Sequence, residues 1–210
     1  MRNYPVQMEV AGPLAMFTRV DTGATPTSYP VPTWSAAKGL FDAIAMLVSG
    51  AAWIAPVRVE VCRKRGERGG SVRYESYATN YGGPLRKPKL VDAGNNMQLY
   101  ATVLVDVCYR LHAEVRGNSA VGYNPRHQLQ DMFLRRLERG QCHSTPALGW
   151  REFTCSYWGP FRDGTEVDEA LSLMIPSMLA GMWSEPVKGA YAPRFAQEVR
   201  IVNGALTYAE

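Results

Sequence analysis

The chain has 210 residues, of which 46% are hydrophobic, and this is enough for one sizeable core or for one domain with a small appendage. No apolar run is long enough to span a bilayer, and no basic-then-apolar leader opens the chain, so we expect a cytoplasmic protein without a membrane partner. The formal net charge is only +4, but segment 63–90 holds eight Lys/Arg against two acidic residues. This local surplus indicates a polyanionic partner at one place on the molecule.

The cysteines give no sign of a metal site. Cys62, Cys108, Cys142 and Cys155 show no CxxC spacing, and the adjacent Cys142-His143 has no second ligand pair at a suitable distance along the chain. We predict reduced, mostly buried thiols and expect neither a metal nor another cofactor.

The first predicted elements are a strand and a helix. Apolar and polar residues alternate from 6 to 10, which predicts a half-buried strand ended by Gly12-Pro13. An irregular Thr/Gly/Pro-rich loop follows. Ser35 is then predicted to cap a helix from Ala36 to about Val48 with one apolar face.

Two further strands are predicted in the middle of the chain. Val57, Val59 and Val61 alternate with polar residues, and the clearest alternation of the sequence runs from 103 to 115. The intervening segment, 63–98, has no sustained periodicity and is rich in glycine and basic residues. It is either a surface loop or an RNA-binding arm, and its three tyrosines favour the arm because aromatic faces can stack on unpaired bases.

A second helix carries explicit end signals. Asn124 is a good N-cap, Pro125 suits the first helical position, and Gly140 ends the helix. Arg126 and His127 fall in its first turn, where free amide groups can hold an anion, so this is a candidate phosphate site. On the local pattern alone, a solvated helix end is the commoner explanation. The predicted apolar stripe consists of Leu129, Met132, Phe133 and Leu137.

A strand from about Arg151 to Trp158 completes the order strand, helix, strand, strand, helix, strand. This order predicts an α+β, ferredoxin-like βαββαβ domain spanning residues 1–162. Residues 163–210 are predicted to form a small C-terminal β subdomain. Its expected elements are strands at 171–175 and 178–182 and a hairpin that turns at Asn203-Gly204 between 199–202 and 205–208.

The stretch from Tyr123 to Phe153 resembles the signature of the Cas five (Cas5) family of CRISPR-associated proteins, in its type I-C (Dvulg) form. The matching segments are Pro125-Arg126-His127, Met132-Phe133-Leu134-Arg135-Arg136, Gly140-Gln141-Cys142 and Leu148-Gly149-Trp150-Arg151-Glu152-Phe153. Further matching segments follow the family's order elsewhere in the chain: Gly12-Pro13, Phe17-Thr18-Arg19, Ser28 to Leu40, and Val91 to Tyr109.

The resemblance implies an RRM-like fold of the RAMP superfamily with a long basic β-hairpin thumb at about 63–97. It implies a subunit of the type I-C Cascade complex that holds the repeat-derived 5′ handle of the CRISPR RNA. The implied partners are a backbone subunit (the Cas seven family) and a large subunit (the Cas eight family), with target DNA met only through the complex. It also implies a metal-independent endoribonuclease for precursor CRISPR RNA that leaves 2′,3′-cyclic phosphate ends.

The resemblance also suggests site residues. The family's catalytic set is a Lys-His pair at the start of the second helix and a tyrosine at the end of the first. His127 matches, Arg126 stands in place of lysine, and Ala45 stands in place of the tyrosine. Tyr29, or else Tyr4, could substitute if the fold brings it near His127. The predicted RNA-binding residues are Arg19, Lys38, Arg63, Lys64, Arg65, Arg68, Arg73, Tyr77, Tyr81, Arg86, Lys87, Lys89, Arg135, Arg136 and Arg151.

Three functions are therefore compatible with the sequence. The first is a processing endoribonuclease that stays on as a Cascade subunit. The second is a non-catalytic subunit that only caps the CRISPR RNA, and the third is a stand-alone RNA-binding homologue that competes for the complex.

Overall fold

The computed structural model describes residues 3–67, 69–81, 97–117, 123–185 and 189–208, without the side chains of residues 80, 81 and 97. These ranges contain nine strands and two helices. In chain order they are β1 (Pro5–Ala15), α1 (Trp34–Ile44), β2 (Ala52–Lys64), β3 (Tyr74–Tyr81), β4 (Met97–Gly117), α2 (Pro125–Glu138), β5 (Tyr157–Gly159), β6 (Thr165–Val167), β7 (Leu173–Trp183), β8 (Tyr191–Ile201) and β9 (Ala205–Thr207).

The main sheet has the strand order β5-β1-β4-β2-β6, with β3 paired to β4 and β9 paired to β2. Strands β1 and β2 are both antiparallel to β4, and β5 is antiparallel to β1. The order β5-β1-β4-β2 is that of a split βαβ unit. The predicted α+β class is confirmed.

The core lies between the helices and the apolar face of β4. Every predicted inward residue of β4, at the odd positions from 103 to 115, is buried. Helix α1 contributes Phe41 and α2 contributes Phe133, whose ring centroids are 5.6 Å apart. The predicted stripe of α2 is confirmed except that Met132 is only half-buried. Neither of the two described helices is long and apolar enough to cross a membrane.

Helix α1 is shorter than predicted at its end and is capped by a different residue. The Thr33 hydroxyl, not that of Ser35, accepts a hydrogen bond from the amide of Ala36 (3.1 Å). The helix stops at Ile44 rather than Val48, where Ala45 turns into an extended conformation, and its last carbonyl groups are bound from elsewhere in the chain. Arg136 Nη1 donates to the Ile44 carbonyl (2.8 Å), an interaction that local sequence cannot reveal.

The pair Gly12-Pro13 does not end β1, as predicted, but lies within it. Pro13 falls opposite Asp106, which has a φ of +49°, and the register on both sides of the two residues is regular. The same arrangement recurs where Pro176 falls opposite Glu198, with a φ of +50°. Proline has no backbone N–H and cannot donate a hydrogen bond to the neighbouring strand. The residue opposite it is therefore free of regular pairing, and its strand bends at that point.

Strand β3 lies inside the segment that showed no periodicity. It pairs with β4 from Tyr74 opposite Leu104 to Tyr81 opposite Met97, so β4 extends six residues before the predicted strand. Most side chains of β3 are exposed, and an exposed strand has no apolar alternation to mark it.

Two other predicted strands differ from the structure. The register of β2 shifts between Pro56 and Arg58, which leaves Val57 exposed rather than inward. Residues 151–156 are not a strand, because the amide of Phe153 donates to the Trp150 carbonyl (3.0 Å) and closes a turn. Only β5 forms there, from Tyr157 to Gly159.

The C-terminal part combines predicted and unpredicted features. The turn at Asn203-Gly204 is confirmed, since Val202 and Ala205 exchange backbone hydrogen bonds across it (2.9 and 3.0 Å). The two strands predicted at 171–175 and 178–182 are one strand, β7, which pairs with β8. Strands β6 and β9 pair with β2 in the main sheet. A domain boundary at residues 162/163 stays a prediction.

Candidate active site and nucleic-acid interface

The start of α2 is tied to the start of β1 through the N-cap residue. Asn124 Oδ1 accepts a hydrogen bond from the amide of His127 (3.3 Å), as expected of an N-cap. Asn124 Nδ2 donates to the hydroxyl of Tyr4 (2.7 Å). The first turn of α2, with Arg126 and His127, is therefore held in place by the sheet.

Tyr4 also contacts both residues of the predicted catalytic pair. The guanidinium carbon of Arg126 lies 5.3 Å from the centroid of the Tyr4 ring, within the range of a cation–π contact. The ring of His127 lies 6.3 Å from the same ring, tilted by 41°. Tyr4 is buried, so its ring is held in place where Arg126 and His127 contact it.

Tyr29, the other candidate tyrosine, is engaged elsewhere. It is buried, its hydroxyl accepts a hydrogen bond from the amide of Leu179 (3.2 Å), and the guanidinium of Arg19 lies 5.7 Å from its ring. Its described contacts are thus with β7 and the loop after β1, whereas Tyr4 lies beside His127.

Asp131 was not singled out from the sequence but belongs to this site. Its Oδ2 lies 3.5 Å from Nε2 of His127, one turn further along α2. A carboxylate at that distance can hold the imidazole ring in orientation. The i, i+4 spacing of the two residues on one helix was the signal that could have revealed it.

At the end of α1, where the family resemblance places a tyrosine, the chain has a buried alanine. Ala45 is fully buried and its amide donates to the Phe41 carbonyl (3.0 Å). The next residue, Met46, is exposed. The described part of the chain therefore presents no phenol group at this position.

The predicted basic residues of β2 and β3 surround a cleft of about 770 Å³. Arg63 and Lys64 line it from the end of β2, Arg73 lines it from just before β3, and Arg162 lines it from the loop after β5. The structure thus brings together cations from positions far apart in the sequence. Arg162 was not predicted, because its neighbours in the sequence are not basic.

Acidic side chains neutralise much of this positive charge. Arg63 lies 3.2 Å from Glu166, and Arg73 lies 2.9 Å from Asp106. Lys64 is exposed. A phosphate group that entered the cleft would have to compete with these carboxylates.

The Arg162 guanidinium is held by a buried carboxylate, Glu9, which is fully inaccessible to solvent. Arg162 Nε donates to one Glu9 oxygen (2.6 Å), while Thr165 Oγ1 (2.7 Å) and Arg110 Nε (3.3 Å) donate to the other. Burial tends to raise the pKa of Glu9, but the hydrogen bonds from Thr165 and Arg162 outweigh it, and the pKa lies below its ordinary value.

Several other predicted RNA-binding residues serve contacts within the protein. Lys38 pairs with Asp42, and Arg19 forms two hydrogen bonds with Asp21 (2.7 and 3.0 Å). The Tyr77 ring packs edge-on against Phe153 (5.2 Å). Arg136 caps α1, as described above. Among the predicted residues whose side chains the structure describes, those that are exposed are Lys64, Arg65, Arg73, Arg135 and Arg151.

The remaining predicted positions lie outside the described residues. These are Arg68, Arg86, Lys87 and Lys89, together with the side chain of Tyr81. Their assignment to RNA binding stays a prediction.

The cleft and the Arg126-His127 pair lie towards opposite ends of the sheet. Val107 of β4 lines the cleft. Val115, further along the same strand, donates its amide to the carbonyl of Tyr4 (2.9 Å), and Tyr4 contacts the Arg126-His127 pair. Eight residues of strand separate these points, which corresponds to roughly 25 Å along β4. One RNA strand would have to run along much of the molecule to occupy both. In the described ranges, no group of three or more His, Cys, Asp or Glu has an arrangement that could hold a metal ion.

Comparison with known proteins gives consistent matches. The sequence profile of the CRISPR-associated protein family Cas5, in its Cas5d form, matches residues 6–198. The chain is 33% identical to the CRISPR pre-crRNA endoribonuclease Cas5d of Thermus thermophilus over 177 residues, which cover 83% of this chain and 71% of that protein. It is 29% identical to the protein of the same name from Mannheimia succiniciproducens over 165 residues, which cover 72% of this chain and 71% of that one.

Two solved structures share the fold. The crystal structure of a CRISPR-associated protein superposes with a TM-score of 0.67 at 18% identity, covering 100% of this chain and 94% of the other. The crystal structure of a functionally uncharacterized protein from Streptococcus mutans superposes with a TM-score of 0.68 at 17% identity. The superposition covers 100% of this chain and 93% of the other. At these identities the likeness concerns the fold alone.

Proposed function

This chain belongs to the Cas5 family of CRISPR-associated proteins, and from that premise we propose that it holds the 5′ handle of CRISPR RNA as a subunit of a type I-C Cascade complex and cuts the precursor RNA. Two curated relatives are named pre-crRNA endoribonucleases, which supports the second part of the proposal. The observation that carries it is the Arg126-His127 pair at the start of α2, fixed by Asn124 and Tyr4.

The proposed reaction is attack of the 2′-hydroxyl on the adjacent phosphate. It requires a proton acceptor for the 2′-hydroxyl and positive charge beside the phosphate. His127 is exposed, so its imidazole can take the proton, with Asp131 holding the ring in orientation. Arg126, at the positive end of the α2 dipole, binds the phosphate oxygens. Solvent at this exposed site can protonate the leaving 5′-oxygen.

The direct test is incubation of the purified protein with its own repeat RNA in EDTA. We expect a single cut that leaves a 2′,3′-cyclic phosphate and a 5′-hydroxyl, at the rate seen without EDTA. Binding without any cut would instead assign the protein to the capping function. The buried Ala45 at the end of α1 and arginine in place of lysine at position 126 favour this second candidate.

The basic segment is expected to supply much of the RNA affinity. Replacing Arg86, Lys87 and Lys89 together with alanine should weaken binding of the handle. The RNA phosphate groups that lose these contacts keep their counterions instead of releasing them on binding. The slope of log K against log salt should fall by about 2 for three contacts to a single strand. Replacing the exposed Arg194 and Arg200 of β8 is the control for loss of positive charge elsewhere on the surface. An unchanged affinity and slope in the triple variant would show that the segment does not bind the RNA.

Tyr4 is expected to matter through its ring more than through its hydroxyl. Tyr4→Leu removes the face against which Arg126 packs and should weaken binding of an uncleavable 2′-deoxy repeat RNA by about threefold to tenfold. Tyr4→Phe keeps the ring and should have a smaller effect. Combining Tyr4→Leu with Arg126→Ala should cost no more than Arg126→Ala alone, and additive losses of affinity would contradict the proposed contact.

A further inference from the structure

Two of the four cysteines are brought side by side by the pairing of β2 with β4. The antiparallel register pairs Val61 with Tyr109 and therefore places Cys62 opposite Cys108. Side chains at opposite positions of an antiparallel pair lie on the same face of the sheet, and the Cys62 thiol donates to the Glu60 carbonyl (3.8 Å). Opposite residues in antiparallel strands have Cα atoms about 4.5–5.5 Å apart, and this separation allows a disulfide to close.

The pair lies where a small molecule can reach it. Both cysteines are largely buried by the surrounding strands, but both also line the 770 Å³ cleft. Arg162, which lines the same cleft, directs its Nη2 at Cys108 Sγ (3.8 Å). All four cysteines are free thiols in the structure.

The surroundings make the two thiols chemically unequal. The neighbouring Cys62 thiol lowers the pKa of Cys108 against the opposing effect of burial, and the Arg162 guanidinium acts in the same direction. The neighbouring Cys108 thiol, followed by burial, raises the pKa of Cys62. Cys108 is therefore the thiol that becomes a nucleophile, and Cys62 is placed to react second.

We propose that Cys62 and Cys108 form a modification site at this cleft, at which low-molecular-weight disulfides such as glutathione disulfide oxidise the pair to a cross-strand disulfide. The Cys108 thiolate attacks one sulfur of glutathione disulfide, which releases one glutathione thiolate and leaves a mixed disulfide. Cys62 then loses its proton to solvent, attacks Cys108 Sγ and releases the second glutathione. Two protein thiols are oxidised while one disulfide is reduced to two thiols.

The Cys62–Cys108 disulfide would link β2 covalently to β4, beside the basic residues that line the cleft. Because the bond closes a long loop, the melting temperature of the oxidised protein should rise by about 5 °C or more. The reaction depends on neither RNA cleavage nor assembly of a complex, so its outcome is independent of the proposed function.

The test is native oxidation followed by mass mapping. The folded, reduced protein is treated with glutathione disulfide, the remaining thiols are alkylated, and peptides are mapped. Cys142 is exposed and serves as an internal control for the reagent. We expect a mixed disulfide at Cys142 and an intramolecular Cys62–Cys108 disulfide that dithiothreitol reverses. Full modification of Cys142 with Cys62 and Cys108 still reduced would overturn the proposal.

Two variants test the assigned order of reaction. In the Cys62→Ser variant the reaction should stop at a mixed disulfide between Cys108 and glutathione, because the second thiol is missing. Cys108→Ser should leave Cys62 unmodified under conditions that fully modify Cys142. Faster modification of Cys62 than of Cys108 in these folded variants would contradict the proposed roles. Circular dichroism identifies any variant that does not fold, in which case the mapping of the wild-type protein decides.

Discussion

His127→Ala is expected to abolish cleavage of precursor RNA while leaving RNA binding nearly normal. A positioned general base contributes about 10²–10⁴-fold to such a reaction, and the cleavage rate should fall by that factor. The side chain of His127 is exposed and the helix is capped through its backbone amide, so the fold should not suffer. The measurement is single-turnover cleavage of labelled repeat RNA, with affinity measured on the uncleavable 2′-deoxy RNA.

Arg126→Ala is the comparison that separates proton transfer from phosphate binding. Loss of a phosphate-binding guanidinium should reduce both affinity and rate, whereas loss of the proton acceptor should reduce the rate alone. Asp131→Asn should give a smaller loss of rate than His127→Ala, because Asp131 acts only through the imidazole. Cleavage by His127→Ala at the wild-type rate would remove this residue from the mechanism.

Glu9→Ala is expected to cause a large loss of stability. It leaves the guanidinium groups of Arg110 and Arg162 without the buried carboxylate that both contact, and removing one partner of a buried charge cluster costs about 3–5 kcal/mol. Chemical denaturation should show the loss directly. Glu169→Gln, which changes an exposed acidic residue, is the matched control and should change stability little.

The same residue predicts how stability depends on pH. The folded-state pKa of Glu9 lies below its ordinary value of 4.5, so its ionised form stabilises the fold above that pH. This contribution is lost as the pH falls through the folded-state pKa. Glu9→Gln, which has no ionised form, should therefore show a shallower loss of stability below pH 4.5 than the wild type. Parallel curves for the two proteins would show that folding does not lower the pKa of Glu9.

The sequence alone was sufficient for the features that depend on neighbours along the chain. The sequence predicted the N-cap and apolar stripe of α2, the alternation of β4 and the turn at Asn203-Gly204. Helix ends, helix faces and tight turns are determined by residues only a few positions apart. The order of the elements indicated the split βαβ arrangement for the same reason. The motifs around Pro125-Arg126-His127 indicated the family, which the profile match establishes.

The tertiary structure decided everything that depends on contacts between distant segments. Only the docking of α2 against β1 selects Tyr4 rather than Tyr29 as the tyrosine beside His127. Only the strand register places Cys62 opposite Cys108, 46 residues apart in the chain. The charge of the cleft also depends on the fold, because the sequence counts its cations but cannot show that folding pairs Arg63 with Glu166 across about a hundred residues. Such pairings arise from the packing of whole elements, and no local pattern encodes them.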